Sequence, residues 1–234
     1  MNPSDKPPHL IGGAWAVLRK DLKLELRNKS IFGTLIIFVL STLLLVLFAM
    51  GQNDLNPKAE AGLLWIIILF TASLGLGRTF LSEQERGTVI FLKLHTQALM
   101  VYIGKLLFSF LTILCANSIS SVVFLILVGV DVTQPSLFIL VIFLGTLGLA
   151  GATTLLAAVI SKTARGGSLL PVLLFPLLVP LLLTAVEATT LCFVDQPMIG
   201  DPWNTAIEPL VTMISFSGVV IAASILLFDY VWDQ

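Results

Sequence analysis

Six apolar stretches, each close to the length of a bilayer crossing and separated by polar breaks, constrain this chain more than any other feature. They fall at about 31–50, 61–81, 101–128, 136–160, 169–189 and 206–228. A hydrocarbon core about 30 Å thick takes about 20 apolar residues per helical span, so six spans use about 120 residues and leave short connections. In lipid each segment must satisfy its own N–H and C=O groups, which makes the spans helices; the alternation of barrel strands is absent. The 234 residues are 57% hydrophobic and 12% charged, against about 25% charged in a soluble domain, which excludes a water-soluble globule. The expected fold is therefore an all-α membrane protein. Residues 31–234 form one six-span transmembrane domain, preceded by a cytoplasmic arm and amphipathic helix over 1–30. The first apolar run starts near Ser30 and has full span length, so it reads as a retained anchor and not a cleaved signal.

Sorting the cations orients the spans. Lys6, Arg19, Lys20, Lys23, Arg27 and Lys29 precede the first span, Arg78, Arg86, Lys93 and Lys105 cluster around the connection from the second to the third, and Lys162 and Arg165 follow the fourth. The opposite face holds only Lys58. By the positive-inside rule the N-terminus, the 82–100 loop, the 161–168 turn and the C-terminus are cytoplasmic. Trp203 and Trp232 near span ends suit interfacial belts. The net charge of −1 says nothing further about partners; a lipid membrane is expected and nucleic acid is not.

Residues 1–9 (MNPSDKPPH) are Pro-rich and polar and read as a disordered arm. Trp15, Leu18, Leu22 and Leu26 then recur at helical spacing among Arg19, Lys20, Lys23 and Arg27. This is a basic amphipathic helix lying in the cytoplasmic interface, either as an anchor or as a contact for a cytosolic partner. Arg78, near the end of the second span, is placed to snorkel to the headgroups. Asn117, Ser118, Ser120 and Ser121 fall near the middle of the third span and read as interhelical hydrogen-bonding groups. Small residues from Gly145 to Thr154 allow close helix approach, with Gly148 and Ala152 at small-xxx-small spacing; the contact is within the chain or between subunits. Pro171, Pro176 and Pro180 in the fifth span argue against a straight helix and for structural kinks or a gate. The segment 190–205, with Pro197, Gly200 and Pro202, reads as irregular.

The chemistry of an enzyme is missing. HExxH, GxSxG, CxxC and GxGxxG are absent, and Gly104-Lys105 lacks the glycine spacing and the following Ser or Thr of a P-loop. The chain is not expected to hydrolyse ATP alone, to be an enzyme, or to bind a metal or other cofactor directly. His9 and His95 both map to the cytoplasmic side. Cys115 reads as a small buried hydrophobe, and Cys192 as a thiol in a polar connection without an activating cation.

Two constellations carry information. In the cytoplasmic segment 82–94, acidic Glu83 and Glu85 precede a Gly87-Thr88 break and an apolar turn containing Leu92, continuing through His95 to Gly104-Lys105. Such a turn can press its apolar face into a groove on a partner while charges set the register, and an interfacial turn with no partner would show the same pattern. The segment resembles the ATPase-coupling element of type-2 ABC exporters, and the resemblance assigns Glu83, Glu85, Gly87, Thr88, Leu92, His95 and Lys105 to that interface. The second constellation is Arg165-Gly166-Gly167, then Leu169-Leu170-Pro171, then Pro176 and Pro180. It resembles the signature of the haem exporter B family, CcmB, of cytochrome c maturation. That likeness extends over the Trp15–Arg27 helix, the coupling segment and the small-residue fourth span; His95-Thr96 departs from it, since family members often place Pro after the apolar turn.

The resemblance implies a type-2 ABC exporter-like permease of the inner membrane and gives Arg165, Gly166, Gly167, Pro171, Pro176 and Pro180 structural or gating roles. It further implies a separate ABC ATPase subunit that binds ATP, a haem-handling membrane subunit with its small helper, a periplasmic haem chaperone and a homodimer within the complex. Haem would be handled by that complex, as exported cargo or through ATP-driven release of the loaded chaperone. The lack of an outward-facing histidine and of a cationic pocket for propionates favours release. A type-2 ABC permease for a lipid, glycan or drug would share the coupling segment but lack the Arg-Gly-Gly and proline pattern. A non-transporting scaffold would need no ATPase groove.

Overall fold

The computed structural model describes residues 10–27, 29–50, 55–76, 98–160, 166–194 and 201–233. Among them lie seven helices: α1 (Leu10–Arg27), α2 (Lys29–Met50), α3 (Pro57–Leu76), α4 (Ala98–Val128), α5 (Pro135–Ile160), α6 (Gly166–Phe193) and α7 (Pro202–Asp233). Residues 1–9, 77–97 and 161–165 lie outside this description. With them go the N-terminal arm, Glu83, Glu85, Gly87, Thr88, Leu92, His95, Lys162, Arg165 and the snorkelling position Arg78.

Local sequence explains where several helices begin and end. α3, α5 and α7 each open with a proline after a polar residue, at Asn56-Pro57, Gln134-Pro135 and Asp201-Pro202. Proline is favoured at a first helical position because its missing N–H would find no intrahelical acceptor there and its φ is preset. The preceding side chain then caps. Asn56 Oδ1 accepts from the Ala59 N–H at 2.7 Å, and Asp201 Oδ1 accepts from the Trp203 N–H at 3.1 Å. α4 stops at Gly129, whose φ of 77° lets its N–H donate back to the Leu125 carbonyl at 3.0 Å.

The helical stretches Leu99–Val128, Pro135–Ala157, Val172–Phe193 and Pro202–Leu227 are each long and apolar enough to cross a membrane. α2 and α3 are 22 and 20 residues long. The bundle shows water-averse side chains outward: Phe48, Ile126, Val219 and Leu226 are among many large exposed apolar residues. In water so wide an apolar surface would aggregate, and in a bilayer it faces acyl chains. Inside, buried hydroxyls close on their own helices, Ser120 donating to the Ala116 carbonyl, Thr146 to Ile142, Ser217 to Met213 and Ser224 to Val220. This one-turn-back bond satisfies each of these donors within its own helix, whereas the buried hydroxyls of Thr71, Ser121 and Thr154 make no hydrogen bond to the described residues.

α5 is the central helix, packed on α3, α4, α6 and α7. Its small residues make that centrality possible. The Gly145 Cα faces the Trp65 ring of α3, with no room for a side chain. At Gly148 a Cβ would fall 2.6 Å from Leu181 of α6 and 3.0 Å from the Ser217 hydroxyl of α7, and at Gly151 3.2 Å from Ile221. The small-residue run of the fourth apolar stretch thus packs against helices of its own chain. Asn117 Nδ2 donates to Thr146 Oγ1 at 3.0 Å, joining α4 to α5; Ser118, by contrast, is exposed and bonds to Leu114 of its own helix.

α6 is helical without interruption through Pro171, Pro176 and Pro180, and Pro176 and Pro180, one turn apart, are both exposed. On that outward face a ring displaces no packed neighbour. Three expectations need correction. The region 190–205 is less irregular than its composition suggests: α6 runs on to Phe193 and α7 starts at Pro202, leaving 195–200 outside the described residues. Cys192 lies in the last turn of α6, not in a connection. It is buried there, and its carbonyl accepts from the Thr133 N–H at 2.9 Å and the Thr133 hydroxyl at 3.0 Å. Cys115 faces outward from α4 instead of into the core.

Candidate functional site

The site lies where α1 crosses the first turns of α4. α4 has 31 residues and so measures about 46 Å, longer than the hydrocarbon core, which leaves its beginning free to extend into the interface. There the sequence reads Met100-Val-Tyr-Ile-Gly104-Lys105, and α1 lies against it.

Close approach comes from two glycines. A Cβ on Gly104 would fall 2.7 Å from Val17 Cβ and 2.8 Å from the Ala14 carbonyl oxygen, and one on Gly13 would fall 2.5 Å from Met100 Sδ. Contact with the α1 backbone itself makes a side chain at Gly104 incompatible with this docking. Ala14, Val17 and Leu18 are buried in the junction. The packed face of α1 is therefore centred on Ala14, Val17 and Leu18, and of the Trp15, Leu18, Leu22 and Leu26 stripe that periodicity selects for the interface it takes in Leu18 but not Trp15 or Leu22. Trp15 is 62% exposed and Leu22 38%. Small side chains win the contact because Gly104 rewards short separation, and Trp15 and Leu22 are left to the membrane surface.

At the centre is a buried ion pair that the sequence reading missed on one side. Lys105 is fully buried, with its Nζ 3.4 Å from Asp21 Oδ2. Asp21 is 7% exposed, and its other oxygen lies 3.3 Å from the Nζ of the half-exposed Lys20. An ammonium removed from water must be compensated, and a carboxylate drawing on two cations supplies a negative centre for it. Asp21 sits one turn beyond Val17 on the buried face. An acid four residues beyond Val17, among the cations Arg19, Lys20 and Lys23, was the available signal. Lys105, assigned from sequence to an ATPase interface, here faces α1 and presents no surface to a partner.

Of the remaining sequence-selected positions, the described ones lie on α6. Gly166 and Gly167 form the start of α6, and Pro171, Pro176 and Pro180 follow along it. The segment bearing Glu83 to His95 lies outside the described residues and precedes α4 directly in sequence. The arrangement offers no catalytic chemistry. It offers a tight, ion-paired junction between α1 and the beginning of α4, with α4 linked onward to α5 through Asn117 and Thr146.

Comparison with known proteins bears on the whole of this structure. The family model described as CcmB protein matches residues 13–225, from the α1 contact glycine to the last turns of α7. A Heme exporter protein B of Bradyrhizobium diazoefficiens is 26% identical over 193 residues, covering 81% of this chain and 86% of the relative. One from Paracoccus denitrificans is 30% identical over 175 residues, 74% of this chain and 80% of the relative. One from Pseudomonas aeruginosa is 29% identical over 189 residues, 79% and 83%. With a family match that spans the joint, the central helix and nearly all of the bundle, the chain belongs to the CcmB protein family.

Proposed function

We propose that this chain is the membrane permease subunit of a haem exporter of the ABC type that serves cytochrome c maturation. The observation that carries the reading is the family match over residues 13–225, supported by relatives named Heme exporter protein B that align over most of both chains. In this reading the protein sits in the inner membrane, and α2 to α7 are six spans in a type-2 ABC exporter arrangement. α1 lies along the cytoplasmic face, and both termini are cytoplasmic, as the twelve cations on that side favour. The chain is not an enzyme and binds no cofactor itself. ATP is bound and hydrolysed by a separate ATPase subunit. A haem-handling membrane subunit with its small helper, a periplasmic haem chaperone and a second copy of this chain complete the complex. Haem is the cargo of the complex, carried across or released on the loaded chaperone.

Mechanically, closure of the ATPases pushes on the segment from Glu83 to His95, with Glu85, Gly87, Thr88 and Leu92 in the groove. The push enters α4 at Ala98. Because Gly104 and Lys105 bind α4 to α1, the two helices tilt together, and Asn117 passes the displacement to α5 and so to the helices packed around it. Arg165, Gly166 and Gly167 lie on the same side in this reading and give α6 a second point of entry. The test is deletion of the gene in its host, staining of membrane proteins for covalently bound haem, and rescue by wild type, Glu85→Lys and Arg165→Ala, with total haem measured alongside. c-Type cytochromes are expected to vanish while b-type haem persists, with wild type but not Glu85→Lys restoring them. Normal c-type cytochromes, in a host with no second maturation system, would overturn the function and leave a permease of other cargo.

A further inference from the structure

We propose that the outward face of α1 is a binding site for the headgroup of one anionic phospholipid. The site goes beyond the permease reading and requires only that α1 lie at the membrane surface. Its orientation is fixed by the junction: with Ala14, Val17, Leu18 and Asp21 turned into α4, the opposite side of the helix faces away from the bundle. That side is a shallow groove of about 350 Å³ lined by Gly12, Trp15, Ala16, Arg19, Lys20 and Lys23. Gly12 and Ala16, one turn apart, leave its floor open. Trp15, Arg19 and Lys23 follow one another at four-residue spacing along one stripe. The lining carries three cations and no carboxylate.

The chemistry selects a phosphodiester beside an apolar body. Arg19 offers a planar fork that matches two phosphate oxygens, and Lys23 a point charge one turn on. Trp15, 62% exposed, is the side chain most suited to the boundary between headgroup and acyl chain. Leu22 and Leu24, also exposed, extend that apolar margin, as a docked soluble protein would not require. α1 also runs almost directly into α2, with Asn28 alone between the two helices, and α2 exposes Ile36, Ile37 and Leu40 as a lipid-facing helix does. The groove therefore sits level with the bilayer surface. Lys20 is shared: its Nζ is 3.3 Å from Asp21, so a bound phosphate competes with Asp21 for Lys20 and leaves Asp21 to Lys105. Lipid occupancy thus bears on the α1–α4 joint through one carboxylate.

The experiment incorporates the full-length protein into vesicles of equal phosphatidylglycerol and phosphatidylcholine, extracts it gently and counts retained lipid by native mass spectrometry. Wild type is expected to keep one phosphatidylglycerol in preference to phosphatidylcholine. R19Q/K23Q is expected to lose that retention about twenty-fold at low salt, the loss of two surface cations. R19K is expected to keep most of it, and Lys58→Gln on α3 all of it. Because both altered side chains are exposed, the melting temperature should not move. Should the double variant misfold, quenching of Trp15 by bromine-labelled phosphatidylglycerol over bromine-labelled phosphatidylcholine, abolished by Trp15→Phe, decides the same question in native-like protein. Equal retention of the two lipids, or undiminished phosphatidylglycerol on R19Q/K23Q, overturns the proposal. So does displacement by millimolar inorganic phosphate, which would mark a free-anion site. Loss of ATPase-subunit binding in R19Q/K23Q with lipid retention intact would assign the face to a protein partner and overturn it as well.

Discussion

The α1–α4 junction and the centre of the bundle solve the same problem, close helix approach, with opposite chemistry. Around α5 the approach is secured by Gly145, Gly148 and Gly151 against Trp65, Leu181 and Ile221, and the polar bonds are neutral and single, such as Trp65 Nε1 to Thr189 Oγ1 at 2.8 Å. At the junction Gly104 and Gly13 again set the distance, but a buried Lys105–Asp21 pair is added. Depth accounts for the difference. Lys105 lies seven residues into α4, about 10 Å from its start, where a long helix is still leaving the interface. A charge pair can be formed there with water nearby, whereas at mid-membrane an ionised side chain is far more costly. Charge is thus buried at the end of the bundle where α1 meets α4, and the contacts around α5 are built from glycines and neutral hydrogen bonds.

The largest expected effect tests that division directly. Lys105→Met leaves the Asp21 carboxylate buried beside the half-exposed Lys20, and should destabilise the protein by about 3–5 kcal/mol, the usual result of removing one member of a buried pair. Asp21→Leu combined with Lys105→Met replaces both charges by apolar groups and should recover most of the loss. Reversible unfolding in mixed micelles measures both. If the double variant is no better than the single, the pair is not an isolated unit and the contrast with the bundle centre weakens.

Two glycine substitutions come next. Gly145→Val drives a side chain into the Trp65 ring, which is itself held by Thr189 and has nowhere to go, so a loss of about 2–3 kcal/mol is expected in the same unfolding measurement. Gly104→Val meets the Ala14 carbonyl and Val17, yet α1 is peripheral and can shift as a whole. The expected cost is about 1–2 kcal/mol, with faster protease cleavage within α1 and little change in the cleavage of α5. Equal proteolysis of both helices would show that the junction is not a separable joint.

How far the sequence exposed all this depends on which physical rule was at work. The helical, membrane-spanning character follows from length and apolarity, and each of the six apolar stretches coincides with one of α2 to α7 to within about five residues at its described ends. Asn117 was legible as an interhelical group because a carboxamide in lipid must find a partner. The packed face of α1 was not: periodicity marks Trp15, Leu18, Leu22 and Leu26 as an apolar stripe for the interface, while the contact with α4 is decided by the absence of a side chain at Gly104, on another helix. Asp21 was hidden for a related reason. Asp21, one of two acids among four cations on α1, reads as charge balance until Lys105, 84 residues away, is seen against it. Trp65 escaped notice because an aromatic inside an apolar run has no marked periodicity, and its partners Gly145 and Thr189 belong to two other helices. The three prolines of α6 are accommodated within one continuous helix, as neighbouring groups in a membrane interior can allow.

The smallest effect gives the finest test. Trp65 Nε1 has Thr189 Oγ1 as its partner across α3 and α6, and both residues are buried. In water-soluble cores a buried hydrogen bond of this kind carries a heavy penalty when broken. In a membrane interior the unfolded helices also find partners, and interhelical side-chain bonds average about 0.6 kcal/mol. A cycle of Trp65→Phe, Thr189→Val and the double variant should therefore return a coupling near that value, several times smaller than the coupling between Asp21 and Lys105. Trp65→Phe alone will cost more than the coupling, because it also empties the space against Gly145. That excess should shrink in a Gly145→Ala background, where the added methyl occupies part of the volume the indole vacates. A coupling above about 2 kcal/mol would instead place the bundle centre and the junction in one energetic class, and depth would no longer explain why only one of them carries charge.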